Sequence, residues 1–364
     1  MLVTEAHGGY GGIAQYNQDL IDALAAYDGR TEVVVVPRLQ SAPIGPLPGN
    51  VRYATSAANS KLKYVMAAIA AAISAGGYDL VICGHINLLP IAFFVRLWLR
   101  APIVLVVYGI DVWRPTNSAL ANFLVRKVNA FVSISDFTRK KFLSWASLDG
   151  VKSFLLPNSI KPQQFSAGVK NKKLVERYGL QGKNVLMTLG RLSADERYKG
   201  VDEILVLLPG LVKENPDIIY LVVGDGTDRK RLEEKAEQLG MREHVLFTGR
   251  IAENEKADYY RLADVYVMPS RGEGFGFVFL EAMACGIPVI ASKIDGSREA
   301  VRHGELGQLV DPDNPDEIRA AILKALRGPR GEVPQGLEYF SYANFTQRLH
   351  HFLDQITLRE TSSR

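Results

Sequence analysis

The feature that most constrains the fold is an alternation of short apolar runs with helix-period segments, which occurs twice along the chain. Runs rich in β-branched residues that stay apolar at every position predict strands buried on both faces. Such strands, separated by helices, are typical of parallel sheets covered by helices. The sequence therefore predicts an α/β protein with two doubly wound, Rossmann-like domains. The predicted strands are Leu2–Ala6, Glu32–Val36, Leu80–Gly84, Ile103–Gly109 and Ala130–Ile134, then Val185–Gly190, Ile219–Gly224, Val245–Gly249, Val265–Met268 and Pro288–Ala291.

The length of the chain agrees with two domains. A chain of 364 residues with 47% hydrophobic content can form two separate cores. The polar stretch 158–173 is the best candidate for a linker between them. We expect a first domain over residues 1–165, a second over 166–335 and a C-terminal segment over 336–364.

Two features of the sequence bear on the compartment. The two cysteines, Cys83 and Cys285, each lie in an apolar stretch, which favours buried reduced thiols over a disulfide or a metal site. The first residues lack the basic and apolar regions of a signal peptide. We therefore expect a cytoplasmic protein, although the abrupt start of the first strand leaves a truncated N-terminus open.

The charge is distributed unevenly. Residues 1–165 carry 15 Lys and Arg against 9 Asp and Glu, whereas the remainder carries 28 against 30. A basic first half favours an anionic lipid or a phosphate-bearing acceptor, and an excess of solvated surface charge explains it equally well. We expect no nucleic acid partner.

The longest apolar region, residues 88–108, bears on membrane contact. Two arginines and two prolines interrupt it, so it does not predict a spanning helix. Phe93, Phe94 and Trp98 alternate there with Arg96 and Arg100. These aromatic residues either contact the anionic inner face of the cytoplasmic membrane or belong to the core.

A glycine-rich turn follows the predicted strand Val265–Met268 and opens a helix. Gly272, Gly274 and Gly276 allow a backbone to lie against a bulky group, and the helix N-terminus offers N–H donors to an anion. This arrangement predicts a phosphate ligand. Glu281 follows about one turn into an otherwise apolar helix, where a carboxylate without hydrogen bonds is costly.

Glu273 and Glu281, eight residues apart, resemble the E-x7-E motif of retaining glycosyltransferases of family 4, which have the GT-B fold. The resemblance implies transfer of a sugar from a UDP- or GDP-sugar donor to a glycan, lipid-linked or small-molecule hydroxyl acceptor, as in the synthesis of surface polysaccharides or glycoconjugates. It also implies that the C-terminal helix crosses back onto the first domain. The segments that carry it are Gly8-Gly9-Tyr10-Gly11-Gly12, Gly190-Arg191-Leu192, Lys199-Gly200, Gly224-Asp225-Gly226 and 271–292.

The resemblance assigns roles in the second half of the chain. Arg191 and Lys199 would clamp the donor diphosphate, with ordinary surface charge as the alternative. Glu281 would accept ribose hydroxyls and Glu273 the hydroxyls of the donor sugar, whereas a purely structural Glu281 is the other interpretation. The remaining implied donor-binding residues are Gly190, Ile251 beside the base, and the backbone of Gly274, Phe275 and Gly276.

The resemblance also marks residues in the first half. Gly11 and Gly12 would bring main chain to the donor phosphate, with a plain flexible turn as the alternative. His85, directly after a predicted strand, would contact the transferred sugar or serve only the structure. Asp111 would orient the acceptor. Tyr108 stands where relatives often have a histidine, which changes the local acceptor contacts.

No metal or other cofactor is expected. Asp311-Pro312-Asp313 has the composition of a turn before a helix, where Asp313 or Asn314 is more simply a cap. The Gly224-Asp225-Gly226 turn lacks the third glycine of a dinucleotide fingerprint, so NAD is not expected. Because Glu273 is occupied with sugar hydroxyls, the resemblance implies front-face transfer. The alternatives are a sugar-nucleotide epimerase of the same fold and a non-catalytic nucleotide-sugar-binding subunit.

Overall fold

The computed structural model describes residues 1–74 and 77–361, and the chain divides into two compact units. The first unit contains residues 1–159 and the helix that starts at Tyr342, and the second contains Ile160–Ser341. The divisions lie at 159/160 and 341/342, where we expected 165/166 and 335/336. The reason is local, because Ile160 pairs with Ser341 in a parallel bridge and donates its N–H to the carbonyl of Phe340 at 2.8 Å.

The first unit is built on seven parallel strands. They lie side by side in the order third, second, first, fourth, fifth, sixth, seventh. The order reverses between the first and fourth strands, and ligands of such sheets bind beyond the carboxyl ends of the strands at that point. The strands are β1 (Leu2–Val3), β2 (Val33–Pro37), β3 (Val51–Tyr53), β4 (Val81–Cys83), β5 (Ile103–Val107), β6 (Ala130–Ser133) and β7 (Lys152–Leu155).

Five helices of the first unit connect these strands, and several of them close the main core over one face of the sheet. Their apolar stripes pack on the strands, which is where most of the stability of such helices arises. The helices are α1 (Gly12–Ala25), α2 (Lys61–Ser74), α3 (Leu89–Leu99), α4 (Ala119–Val125) and α5 (Asp136–Ala146).

The second unit repeats the plan with six parallel strands. Numbered from β8, they lie in the spatial order β10, β9, β8, β11, β12, β13. The order reverses between β8 and β11, so the turns after these two strands share one edge of the sheet. The strands are β8 (Asn184–Leu189), β9 (Ile218–Val223), β10 (Val245–Gly249), β11 (Val265–Val267), β12 (Val289–Ser292) and β13 (Gln308–Val310).

The helices of the second unit cover both faces of its sheet. The longest, α7, packs against α12 and α8. They are α6 (Lys172–Tyr178), α7 (Val201–Glu214), α8 (Arg229–Gln238), α9 (Lys256–Leu262), α10 (Phe277–Ala284), α11 (Ser297–Ala300) and α12 (Pro315–Arg327).

The last helix, α13 (Tyr342–Thr361), belongs to the first unit. It packs along α1, where Phe345 meets the ring of Tyr16 edge to face and His350 Nε2 lies 2.9 Å from the carbonyl of Ala23. Among the described residues, no helix combines the length and the apolar character that a bilayer crossing requires.

Three strands that the sequence did not predict lie at the borders of the sheets. β3 and β7 are the two edges of the first sheet, and β13 is one edge of the second. Each is only partly buried and lacks a continuous apolar run. The predicted linker 158–173 also differs from expectation at its start, because Asn158 and Ser159 are buried and Ser159 donates to Asp19 at 2.7 Å.

Candidate active site

The predicted glycine turn joins β11 to α10 at the edge where the strand order of the second sheet reverses. Gly276 has φ 93°, a conformation that favours glycine, and immediately precedes α10. At Gly272 a Cβ atom would lie 2.9 Å from the ring of Tyr198. The turn therefore packs closely on the loop after β8, and the carbonyl of Tyr198 accepts from the Arg271 N–H at 2.8 Å.

Glu281 is fully buried in α10, as the apolar sequence around it predicts. Its Oε2 accepts from the hydroxyl of Tyr260 at 2.7 Å, and its Oε1 lies 3.7 Å from Lys256 Nζ. Burial lowers the pKa of Lys256, but the charges of Glu281 and Glu253 outweigh it and leave that pKa raised. Sequence reasoning missed Tyr260 and Lys256, since their position on α9 depends on the packing of two helices.

Glu273 lies in the turn before α10. Burial raises the pKa of its carboxyl to about 7, against the opposing charge of Lys199, while Asp295 adds to the rise. The N–H of Phe275 donates to the same carboxyl. A carboxyl of this kind changes charge near neutral pH, which is typical of functional sites.

The two predicted cations, Arg191 and Lys199, lie on the loop after β8 and share one partner. Lys199 Nζ is 2.5 Å from Glu196 Oε2, and Arg191 pairs with Glu196 Oε1. Burial raises the pKa of Glu196, but the two cations outweigh it and hold that pKa below its usual range. The Arg191 side chain is 74% exposed and Lys199 only 16%, so an anion would find Lys199 already oriented.

The loop that carries Lys199 is fixed to α7 and α8 by a network of charges that the sequence did not predict. Buried Asp228 accepts from Arg197 Nη2 at 2.6 Å and from Arg231 Nη2 at 2.5 Å. Arg231 also binds Asp202 at 2.6 Å. Hydrogen bonds from Arg231 and then Arg197 hold the pKa of Asp228 well below its usual range. The network positions the short 3₁₀ helix at 194–199.

The Gly224-Asp225-Gly226 turn after β9 is explained by packing. A Cβ atom at Gly224 would lie 1.9 Å from the carbonyl oxygen of Gly190, and one at Gly226 would lie 2.1 Å from that of Leu192. The glycines thus let this turn touch the segment that carries Arg191. Ile251 lies just beyond β10, whose last residue, Gly249, accepts from the Gly224 N–H at 3.1 Å. Ile251, the predicted contact of the nucleobase, thus follows β10, which is an edge strand of the second sheet.

In the first unit, the turn after β1 leads into α1. Gly11 has φ 88°, and a Cβ atom at this position would meet no other atom within 4 Å, so only the backbone conformation requires glycine. Gly12 is the first residue of α1. Within the described part of the chain no side chain caps this 14-residue helix, so its first N–H groups stay available to a ligand.

His85 and Asp111 follow the neighbouring strands β4 and β5. Burial lowers the pKa of His85, and its Nδ1 accepts from the Asn87 N–H at 3.1 Å, which leaves Nε2 as the donor of the neutral ring. Burial raises the pKa of Asp111 to about 7, although main-chain N–H groups oppose the shift. Within the described residues, Asp111 Oδ2 has no hydrogen-bond partner. Tyr108 is buried and donates to Asn17 at 2.7 Å.

The Asp311-Pro312-Asp313 segment forms a turn and cap. Asn314 accepts from the Glu317 N–H at 3.1 Å at the start of α12, as predicted, and Asp313 pairs with Arg271 at 2.7 Å. Within residues 1–74 and 77–361, no group of three His, Cys, Asp or Glu side chains is placed to hold a metal ion. Both cysteines are buried and free, as predicted.

Two family models match the chain and together cover most of it. Residues 171–342 match the family described as glycosyl transferases group 1, and residues 10–164 match glycosyltransferase family 4. The boundary between the two matches lies close to the division between the two units.

Two curated mannosyltransferases are among the most similar proteins. The GDP-mannose-dependent alpha-(1-6)-phosphatidylinositol monomannoside mannosyltransferase of Mycolicibacterium smegmatis is 35% identical over 214 residues, which is 56% of this chain and 54% of that protein. The phosphatidyl-myo-inositol mannosyltransferase of Mycobacterium tuberculosis H37Rv is 37% identical over 201 residues, 55% of this chain and 50% of that protein. The chain thus spans about half the length of these relatives.

The fold is shared with solved structures over almost the whole chain. The crystal structure of Anabaena Alr3699/HepE in complex with UDP superposes with a TM-score of 0.76 and 20% identity, covering 97% of this chain and 99% of that one. Two Rossmann-like halves of this kind form the GT-B fold, which confirms the predicted fold class.

Proposed function

The chain belongs to the glycosyltransferases of group 1 and family 4, and we propose that it transfers a sugar, with retention of configuration, from a nucleotide-diphosphate sugar to a hydroxyl acceptor. One observation carries the proposal. Two cations, Arg191 and Lys199, and the carboxyl of Glu273 lie on the two turns that meet where the strand order of the second sheet reverses. A diphosphate linked to a sugar needs both kinds of group side by side.

The donor is proposed to carry GDP or UDP. The names of the mannosyltransferases specify GDP-mannose in one case, and the HepE structure contains UDP. Ile251 and Glu281 would contact the nucleoside, and Gly190, Gly274, Phe275 and Gly276 the diphosphate and sugar. GDP-mannose is therefore the first donor to test.

The chemistry assigned to this site is front-face transfer. The acceptor oxygen bonds to the anomeric carbon as the bond from that carbon to the diphosphate breaks, and a donor phosphate oxygen takes the acceptor proton. Negative charge builds on the leaving diphosphate, so groups aimed there accelerate the reaction most. Lys199, Arg191 and the N-terminus of α10 would offset this charge.

Glu196 gives the cations a partner before the donor arrives. Its carboxylate bridges Lys199 and Arg191, which spares both from an unpaired state. A diphosphate carries more negative charge than one carboxylate and offers more acceptor oxygens. Donor binding would therefore exchange Glu196 for the diphosphate, and no divalent metal would be needed.

The deciding experiment incubates the full chain with GDP-mannose or UDP-glucose and a panel of phosphatidylinositol, polyprenyl-phosphate-linked and free-sugar acceptors, with and without EDTA. We expect a glycosylated acceptor with an α-linkage from an α-linked donor, at a rate that excess EDTA leaves unchanged. A released isomerised sugar without acceptor would instead identify an epimerase. Donor binding without any product would identify a nucleotide-sugar-binding subunit.

The acceptor is proposed to be reached at a membrane, and the surface of the first unit supports this partner. α3 packs against both α2 and α4 over one face of the sheet. Many outward side chains of these three helices are large and apolar, and their sequences contain no Asp or Glu. The exposed apolar residues, which we call the α2–α4 surface, are Leu62, Met66, Ile73, Phe94, Leu97, Trp98, Leu120 and Phe123.

Basic residues accompany this apolar surface. Lys61 and Lys63 lie on α2, Arg96 on α3 and Arg100 directly after it, and Arg126 and Lys127 follow α4. Exposed apolar side chains beside lysine and arginine are typical of surfaces that bind anionic bilayers. The α2–α4 surface contains Phe94 and Trp98 of the predicted aromatic group, whereas Phe93 packs against the core. We propose a peripheral position at the inner face of the cytoplasmic membrane.

Vesicle binding tests this position. The protein should sediment with vesicles of phosphatidylcholine and phosphatidylglycerol at low salt, and less so as salt screens the charges. Leu97→Glu, on the α2–α4 surface, should weaken binding, whereas Val206→Glu, at an exposed apolar position of α7, should not. Equal effects of the two variants would rule out this surface.

A further inference from the structure

Asp295 is a fully buried carboxylate directly behind the turn that carries Glu273. It lies between β12 and α11 and accepts four hydrogen bonds. Oδ2 accepts from Ser270 Oγ at 2.6 Å and from the Glu273 N–H at 2.8 Å. Oδ1 accepts from the N–H and the hydroxyl of Ser297, at 3.0 and 2.6 Å.

The residue after Asp295 holds the other side of the same turn. The Gly296 N–H donates to the carbonyl of Glu273 at 2.8 Å. A Cβ atom at Gly296 would lie only 2.1 Å from the carbonyl oxygen of Gly274, so the two main chains can touch only because residue 296 is glycine. Both polar main-chain groups of Glu273 are thus bound by two consecutive residues, 295 and 296.

We propose that Asp295 is a positioning residue for the reaction: it fixes the main chain of Glu273, and so directs the Glu273 carboxylate toward the donor sugar without touching the substrate. The inference rests on the proposed function for the role of Glu273. Groups held from behind by buried hydrogen bonds keep the geometry that a reacting sugar requires, and small misplacements there are costly.

The charge of Asp295 also acts on Glu273. Burial and Asp295 raise the pKa of the Glu273 carboxyl, whereas Lys199 and the Phe275 N–H lower it, and Glu196 adds a second negative charge. Burial raises the pKa of the Tyr198 and Tyr266 phenols, and the negative charge of Glu273 adds to both shifts. Burial raises the pKa of Asp295 itself, and its four donors oppose that shift.

The test is Asp295→Asn, which keeps the shape of the side chain and removes the charge. The new amide must point its N–H groups at one pair of donors. The serine hydroxyl of that pair can rotate and accept, but the main-chain N–H cannot, so one hydrogen bond is lost. Asp217→Asn is the matched control, because Asp217 is an exposed residue of the same unit that pairs with Lys183.

The first readout is the titration of Glu273 in the ligand-free protein, followed by NMR of ¹³C-labelled glutamate carboxyls and assigned with Glu273→Gln. We expect the midpoint to move to lower pH in Asp295→Asn and to stay unchanged in Asp217→Asn. An unchanged midpoint in Asp295→Asn would overturn the proposal. This arm does not depend on the donor, so it still tests Asp295 if the protein turns over no nucleotide sugar.

The second readout compares GDP with GDP-mannose by calorimetry, or UDP with UDP-glucose if the protein prefers them. Asp295→Asn should weaken binding of the nucleotide sugar by about tenfold more than binding of the nucleotide diphosphate, because only the sugar meets Glu273. Equal weakening of both ligands would show a merely structural role and overturn the proposal.

Should Asp295→Asn fail to fold, Ser270→Ala replaces it. This variant removes a single hydrogen bond to Asp295 and retains the charge. It should again weaken binding of the nucleotide sugar more than binding of the nucleotide diphosphate, and by a smaller factor than Asp295→Asn does. A Ser270→Ala protein with both affinities unchanged would count against the proposal.

Discussion

The two sheets differ in how charged side chains are held at the edge where their parallel strands end. In the second unit, Glu281 binds Tyr260, and Arg191 and Lys199 share Glu196. In the first unit, Asp111 Oδ2 has no partner within the described residues. An edge whose charges are already paired and oriented suits a ligand of fixed chemistry, such as a nucleotide diphosphate. An edge with an unpartnered carboxylate oxygen can still accept a hydrogen bond, which suits the hydroxyl acceptor of the proposed reaction.

The largest effect should come from the cations of the second unit. Lys199→Ala should lower turnover by about 10²–10³, the scale of losing one preorganised electrostatic contact. Arg191→Ala should lower turnover by a smaller factor, because the Arg191 side chain is far more exposed than that of Lys199 and water screens its charge. Initial rates with GDP-mannose measure both.

Lys183→Ala is the control for these variants, since Lys183 pairs with Asp217 on the surface of the same unit. Its turnover should match the wild type. Near-normal rates in both Lys199→Ala and Arg191→Ala would contradict this prediction, because the two cations of the second unit would then not contact the leaving diphosphate.

The next effect concerns Glu281. Glu281→Gln should weaken donor binding by about 10- to 100-fold, since a hydrogen bond to a charged group contributes about 1.5–3 kcal/mol. Calorimetry with GDP and GDP-mannose measures it, and both ligands should be affected because both contain the ribose. Glu317→Gln, at a half-buried position of α12 where Glu317 pairs with Lys293, is the matched control. Unchanged GDP affinity would assign Glu281 to the structure alone.

A smaller effect is expected in the first unit. Asp111→Asn should lower kcat/KM for the acceptor by about tenfold, because the acceptor loses a group that orients it, and should leave donor affinity unchanged. Asp149→Asn, at an exposed position of the same unit, is the control. A loss of donor affinity in Asp111→Asn would contradict the assignment of the acceptor to the first unit and of the donor to the second.

An effect of similar size is a pH dependence. The pKa of Glu273 is raised to about 7, so its carboxylate forms as pH rises through that value. Affinity for GDP-mannose should therefore increase by about tenfold from about pH 6 to about pH 8, since one pKa unit corresponds to a factor of about ten. Affinity for GDP should show no such step, and Glu273→Gln should abolish it. A step of the opposite sign would mean that the protonated carboxyl binds the sugar.

The sequence predicted the central strands and the glycine turns well, for physical reasons. A strand buried on both faces needs an apolar residue at every position, as in Ile103–Val107, and this pattern is visible without the fold. Edge strands such as Lys152–Leu155 need it less, so they were missed. Positive φ values at Gly11 and Gly276 likewise leave a direct trace in the sequence.

The partners of the site residues could not be read in the same way. Tyr260, Asp228 and Asp295 reach the site from elements distant in the chain, and their own segments carry no distinctive pattern. Glu196 stands next to Asp195 in the sequence, but its bridge between two cations depends on the geometry of a 3₁₀ turn. Pairing in space, rather than composition, decides these roles.

The bridge between Ile160 and Ser341 has a consequence for how the gene can be divided. The second unit is one uninterrupted stretch of chain whose two ends lie side by side, and it is inserted into the sequence of the first unit. The first unit, in contrast, is divided into two segments of sequence, and its last helix is translated only after the whole second unit. Loss of α13 through premature termination would thus impair the first unit, which carries Asp111, while residues 160–341 could be exchanged between homologues as a single block.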